Sequence, residues 1–248
     1  MGDEPAKSAA VAGRPGPELL RYTGIAAVTI AVVAGVVAGA LQPRPAQRVA
    51  TDRLGPDSGE PVAAYLARSR DSLRGTDSAP HWALLSAASG LDPASIPDLT
   101  GGLRVSQVLV HVPLDRVSTP DISVIVPADP AQAAAAEQVA AGHLLAELGP
   151  AGDTGHDPVL EPDPGVVREL SMYRVVAGRL RAGCACVVGL VVRGPLDRLR
   201  ELAGRPGARA VQALPADAGA GNFSVVPLLP EQLDAVTPGP DDGPVPPG

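Results

Sequence analysis

Cys184 and Cys186 are the two cysteines among 248 residues, separated by a single alanine. On an extended strand, residues i and i+2 face the same side. Both sulfurs therefore share one face of the apolar run 184–192 (CACVVGLVV). Three chemistries are open to them. They can pack as buried free thiols, because free cysteine is among the most buried residue types. They can form a disulfide, which persists outside a reducing cytoplasm but at this spacing distorts a regular strand. Or they can bind a soft cation as thiolates. If the start of this run pairs with the end of the run 104–112, His111 comes near. Cys184, Cys186 and His111 are then the candidates for zinc or copper(I). No metal, cofactor or catalytic residue is assigned on that basis.

The other reactive residue types form no recognisable site. His81, His111, His143 and His156 show neither HxxxH nor HExxH spacing. Ser86, Ser89 and Gly90 do not make a G-x-S-x-G elbow, and there is no phosphate-binding loop. Gly101-Gly102 reads as a helix stop and turn. The acidic pair Asp71 and Asp77 has no evident partner, and Asp241-Asp242 reads as solvated. Arg193, Arg198, Arg200, Arg205 and Arg209 interleave with Asp197 and Glu201, the pattern of a solvated helix face. A formal charge of −7 with 2% aromatics excludes a nucleic-acid binder, which needs basic stripes and stacking rings.

The elements that would position these residues follow from periodicity. Helices are expected at 61–73, 93–99 (capped by Asp92), 131–148, 164–181 (capped by Asp163) and 196–203. In the fourth, Val166, Leu170, Tyr173, Ala177 and Leu180 make one apolar stripe. Strands are expected at 81–89, 104–112, 122–126, 184–192 and 208–214. A weak repeat at an offset of 103 pairs Leu84 with Val187, Ile96 with Leu199 and Leu99 with Leu202. Each copy reads strand, short helix, strand. Two such units in one sheet give a ferredoxin-like fold. The insert, about 127–182, is long enough for a helical hairpin projecting from the sheet. Two small separate domains are the structural alternative.

Residues 22–41 (YTGIAAVTIAVVAGVVAGAL) carry no charge. As a helix they would span about 30 Å, the thickness of a bilayer core. The expected fold class is thus α+β: one transmembrane helix followed by a ferredoxin-like βαβ–helical insert–βαβ domain. Residues 1–21 read as a disordered tail, 42–60 as a linker, 61–233 as the folded domain, and 234–248 as a disordered or extended tail. The run exceeds an ordinary signal-peptide core, so an uncleaved anchor is expected despite the small residues Ala38-Gly39-Ala40. Lys7, Arg14 and Arg21 on one side balance Arg44, Arg48 and Arg53 on the other. Charge therefore does not orient the run. The usual signal-anchor arrangement puts the long C-terminal part outside the cytoplasm. Ala27, Ala31, Gly35 and Gly39 form a small-residue face suited to helix association.

Several stretches resemble an uncharacterised group of single-pass membrane proteins from high-GC actinobacteria. They are the apolar run, Tyr65-Leu-Ala-Arg-Ser-Arg, His81-Trp-Ala-Leu-Leu-Ser, Cys184-Ala-Cys-Val and Pro227-Leu-Leu-Pro-Glu-Gln, together spread over 22–233. The resemblance implies location and transfers no catalytic residue. The expected function is a membrane-anchored, extracytoplasmic interaction or scaffold protein of the cell envelope without catalytic activity. Its expected partners are the lipid bilayer through residues 22–41, a second copy through that helix, and an envelope protein. The alternative is a small-ligand, metal or redox sensing module using Cys184 and Cys186.

Overall fold

The computed structural model describes residues 52–127, 131–148 and 163–247. Its centre is a five-stranded antiparallel sheet. The strands are β2 (His81–Leu91), β3 (Arg104–Val110), β4 (Ile122–Ile125), β5 (Val187–Gly194) and β6 (Ala208–Ala213), in the order β4-β3-β5-β2-β6. A 3₁₀ turn (Pro93–Ser95) and helix α2 (Ile96–Thr100) connect β2 to β3, and α6 (Leu196–Ala203) connects β5 to β6. Each strand–helix–strand unit leaves a gap that a strand of the other unit fills. That is the split βαβ arrangement of the ferredoxin-like fold, here with β4 added at one edge.

The two middle strands, β2 and β5, are flanked on both sides and covered on both faces. Both therefore read as unbroken apolar runs, and 81–87 and 187–192 are buried throughout. One face carries the main core: Leu85, Val108, Val110, Leu190 and Val192 pack against Ile96, Leu99, Leu199 and Leu202 of the crossover helices. The repeat is sound in these helices but not in the strands. Leu84 points to the opposite face from its repeat mate Val187, because bulges interrupt the register of β2 and β5.

The insert supplies α3 (Ala131–Ala134), α4 (Ala136–Glu147) and α5 (Pro164–Ala182). The latter two pair as a hairpin, but it does not project. Ala136, Ala140, Ala141 and Leu144 of α4, with Met172, Val175, Val176, Ala177 and Leu180 of α5, join the sheet's main core. A face of alanines lets α4 lie close to the sheet. On α5 the apolar stripe is displaced from the expected one: Val166 is 49% exposed, and the Tyr173 hydroxyl donates to Glu169 at the surface.

The other face carries a ribbon that periodicity did not reveal. β1 (Asp52–Leu54) pairs in parallel with β7 (Phe223–Val225). Leu54 and Phe223 cover Trp82, Leu84, Leu109, Val191 and Leu214. The buried amide of Gln212 ties the ribbon down, accepting from Gly55 N–H at 2.7 Å and donating to Arg53 carbonyl at 3.3 Å. Helix α1 (Val62–Ser72) packs Val62 and Tyr65 on Ala210, Leu228 and Val236 beside β6. Strand β1, at Asp52–Leu54, thus lies within the stretch read as a linker.

The fold class of the sequence reading needs one correction. Among the described residues, no helix is long and apolar enough to cross a membrane. Residues 22–41, which carried that expectation, lie outside the described residues, as do Ala27, Ala31, Gly35 and Gly39 and the tail 1–21.

Candidate functional site

The cysteines do not lie in a strand. Helix α5 stops at Gly183, whose φ of +79° favours glycine. The chain then turns through 184–186, and β5 begins at Val187. The two sulfurs are bonded to each other, with the Cα atoms 5.2 Å apart. An extended strand would hold residues i and i+2 about 6.7 Å apart. The bonded pair is drawn closer than a strand would hold it, and the strand starts later than its apolar run suggests.

Gly90 in β2 makes room for this turn. A Cβ at that position would lie 1.8 Å from the carbonyl oxygen of Ala185, so a side chain there would displace the cysteine segment. On the opposite flank, His111 N–H donates to the Cys186 carbonyl at 2.9 Å. Cys186 is 4% exposed and Cys184 is half-buried. One sulfur is thus more accessible to an incoming group than the other.

Glu137 of α4 completes the site. Its carboxylate accepts the Cys184 N–H at 3.2 Å on Oε2 and the Cys186 N–H at 3.2 Å on Oε1. Cys184 Sγ lies 3.9 Å from Oε1. One carboxylate oxygen and both sulfurs fall within 4.8 Å of one another. Glu137 is 3% exposed. Among the described residues, no arginine or histidine forms an ion pair with it. Burial pushes its carboxyl above the ordinary carboxylate value, the two cysteine N–H bonds oppose that rise, and the nearby Asp92 charge adds to it. Its own helix gave a readable signal: Glu137, Ala140, Ala141 and Leu144 fall on one face, and an acid in such a stripe must be buried with partners.

His111 does not join the cysteines. Its backbone touches Cys186, but its side chain serves another cluster. Nδ1 lies 2.9 Å from Asp121 and Nε2 lies 3.3 Å from Glu231. Burial alone would lower its pKa; the hydrogen bonds and charges of Asp121 and Glu231 outweigh that and raise it to about 9. The same imidazolium holds Glu231 below the usual carboxylate range. Cys184, Cys186 and His111 are therefore not brought together as one ligand set, and the closed disulfide leaves no thiolate for a metal.

The remaining polar residues make structural ties. His81 bridges the Leu214 carbonyl at 2.7 Å and Asp77 at 2.9 Å. Asp71 pairs with Arg74. The C-terminal acids are not free in solvent: Asp241 accepts from Arg168 at 2.9 Å and from Ser118 N–H at 3.0 Å, and Asp242 pairs with Arg116. Extended residues near the C-terminus are thereby tied to the β3–β4 loop and to α5. The arginines of the second half reach carbonyls across element boundaries. Arg200 donates to Leu73 and Gly75, Arg205 to Asp98 and Leu99, and Arg209 to Leu229 and Gln232. Arg198 both pairs with Glu201 and donates to Gly101, and Arg193 stacks over Trp82. A guanidinium fork has five donors, so it caps loop carbonyls that sequence spacing does not reveal. His156 lies outside the described residues. Comparison with protein-family models, with curated proteins and with solved structures gives no match.

Proposed function

We propose that the chain is a redox-responsive module of an extracytoplasmic compartment whose working group is the Cys184–Cys186 disulfide. The observation that carries this reading is the buried Glu137 carboxylate, which holds the N–H groups of both cysteines and has no cation paired with it among the described residues. Two further facts support it. Cys184 is the less buried of the two cysteines and offers the side from which a partner thiolate would approach. And a bond closing three residues removes little entropy from the unfolded chain: about 1.6 kcal/mol, against about 3 kcal/mol for a fifteen-residue loop. The bond is a weak staple. A compartment that keeps disulfides closed suits it, and its partner is a thiol or dithiol.

The test is differential alkylation of the full chain in intact cells, with a topology reporter fused after Gly248. The expected result is an extracytoplasmic reporter and cysteines protected from alkylation. Both should become reactive during dithiol treatment and protected again after washout. Cysteines reactive from the outset, or protected throughout, would overturn the reading.

A further inference from the structure

We infer that Glu137 exchanges a proton with the Cys184–Cys186 couple, giving it to the Cys186 sulfur when a partner dithiol opens the bond and taking it back when the bond closes. This rests on the redox reading of the site and names the residue that would control its rate. The geometry sets the order of events. Cys184 is partly buried and Cys186 is 4% exposed, so the partner thiolate attacks the less buried sulfur, Cys184 Sγ. The new bond joins the partner to Cys184, the old S–S bond breaks, and its electron pair goes to Cys186. A thiolate is costly to leave charged at a position 4% exposed. The Glu137 carboxyl, within 4.8 Å, supplies the proton and becomes a carboxylate. The partner's second thiolate then attacks its own sulfur in the mixed disulfide. Its internal disulfide forms, and Cys184 leaves with the electron pair and takes a proton from water. Two electrons pass from partner to protein, and the partner's two protons go to solvent.

Glu137 suits this work because its surroundings favour the acid more than an ordinary carboxyl's do. Burial and the charge of Asp92, at the 3₁₀ turn before α2, favour the acid, and the N–H groups of Cys184 and Cys186 favour the carboxylate. Among the described residues of α5, β3 and β4, no cation pairs with it.

The test is the rate at which dithiothreitol opens the bond in the full chain, read by alkylation mass and divided by the thiolate fraction at each pH. In the wild type this normalised rate should fall as pH rises and Glu137 loses its proton. In E137Q it should be flat, and about tenfold slower or more at the acidic end. D92N keeps an N-cap side chain and should move the wild-type inflection to lower pH. A flat wild-type profile, superimposable wild-type and E137Q profiles, or an inflection unmoved in D92N would overturn the inference. If E137Q does not fold, the wild-type and D92N profiles decide. A bond that dithiothreitol opens at no pH would instead overturn the redox reading itself, a different outcome from an opened bond with a flat profile.

Discussion

Two buried ionisable sites meet at one backbone hydrogen bond, from His111 N–H to the Cys186 carbonyl, and they solve burial differently. His111 is surrounded by opposite charge: Asp121 on one nitrogen and Glu231 on the other, with both carboxylates about half-exposed. The cluster is compensated, and its proton is held tightly. Glu137 is buried too, and among the described residues it faces N–H dipoles with no cation paired to it. Burial raises its carboxyl above the ordinary value with no ion-pair partner to fix its charge, and it sits beside the Cys184–Cys186 disulfide. Compensated charge fixes the β3–β4 loop to the C-terminal segment. On the redox reading proposed above, the carboxyl without an ion-pair partner is the one that takes part in chemistry.

The comparison can be broken most severely at Gly90. G90A places a Cβ against the Ala185 carbonyl. It should cost about 3 kcal/mol, because backbone must move and the Glu137 bonds move with it. Denaturant midpoints check this. A loss below about 0.5 kcal/mol would mean the cysteine turn is not held by that contact.

H111Q tests the compensated side. The folded pKa of His111, about 9, is raised above the ordinary 6.5. Its stabilisation is therefore complete below about pH 6.5 and is lost as pH climbs through about 9. H111Q should cost on the order of 2 kcal/mol at pH 6, allowing for solvent screening of the two carboxylates, and little above pH 10. Stability measured against pH in both chains checks the sign. A wild-type curve that does not decline across that range would contradict the pairing.

The smallest effect is expected from removing the disulfide. The double variant C184S/C186S should lose no more than about 1.6 kcal/mol. A loss of several kcal/mol would make the bond a structural staple and would weaken the contrast with His111.

The sheet was legible because its central strands are apolar on both faces and its helices carry caps. Asp92 and Asp163 each accept the N–H two residues on, as expected. The apolar cores of β2 and β5 and the crossover helices followed from pattern alone. The β1–β7 ribbon was not legible, because three-residue strands carry no period. The C-terminal acids and the arginines were misjudged for a related reason: their partners are carbonyls and side chains far away in sequence. At the site, the Cys-x-Cys spacing pointed to the right residues but to a strand. The bonded pair sits in a turn with its Cα atoms 5.2 Å apart, closer than a strand would hold them. His111 was placed correctly along the backbone and on the wrong side of it, because strand pairing positions a main chain without deciding which face receives the next side chain. Glu137 was passed over inside a run of alanines, although a carboxylate on an apolar stripe was the signal.

The central claim is that the Cys184–Cys186 bond works as a reversible couple. Its most direct test is the reduced fraction of the full chain, read by alkylation mass after equilibration in dithiol–disulfide buffers of set potential. The account predicts one reversible two-electron transition with a midpoint above about −300 mV, where labile and catalytic disulfides lie. A bond that stays closed below about −300 mV, or a pair that never closes under oxidising buffer, would contradict it.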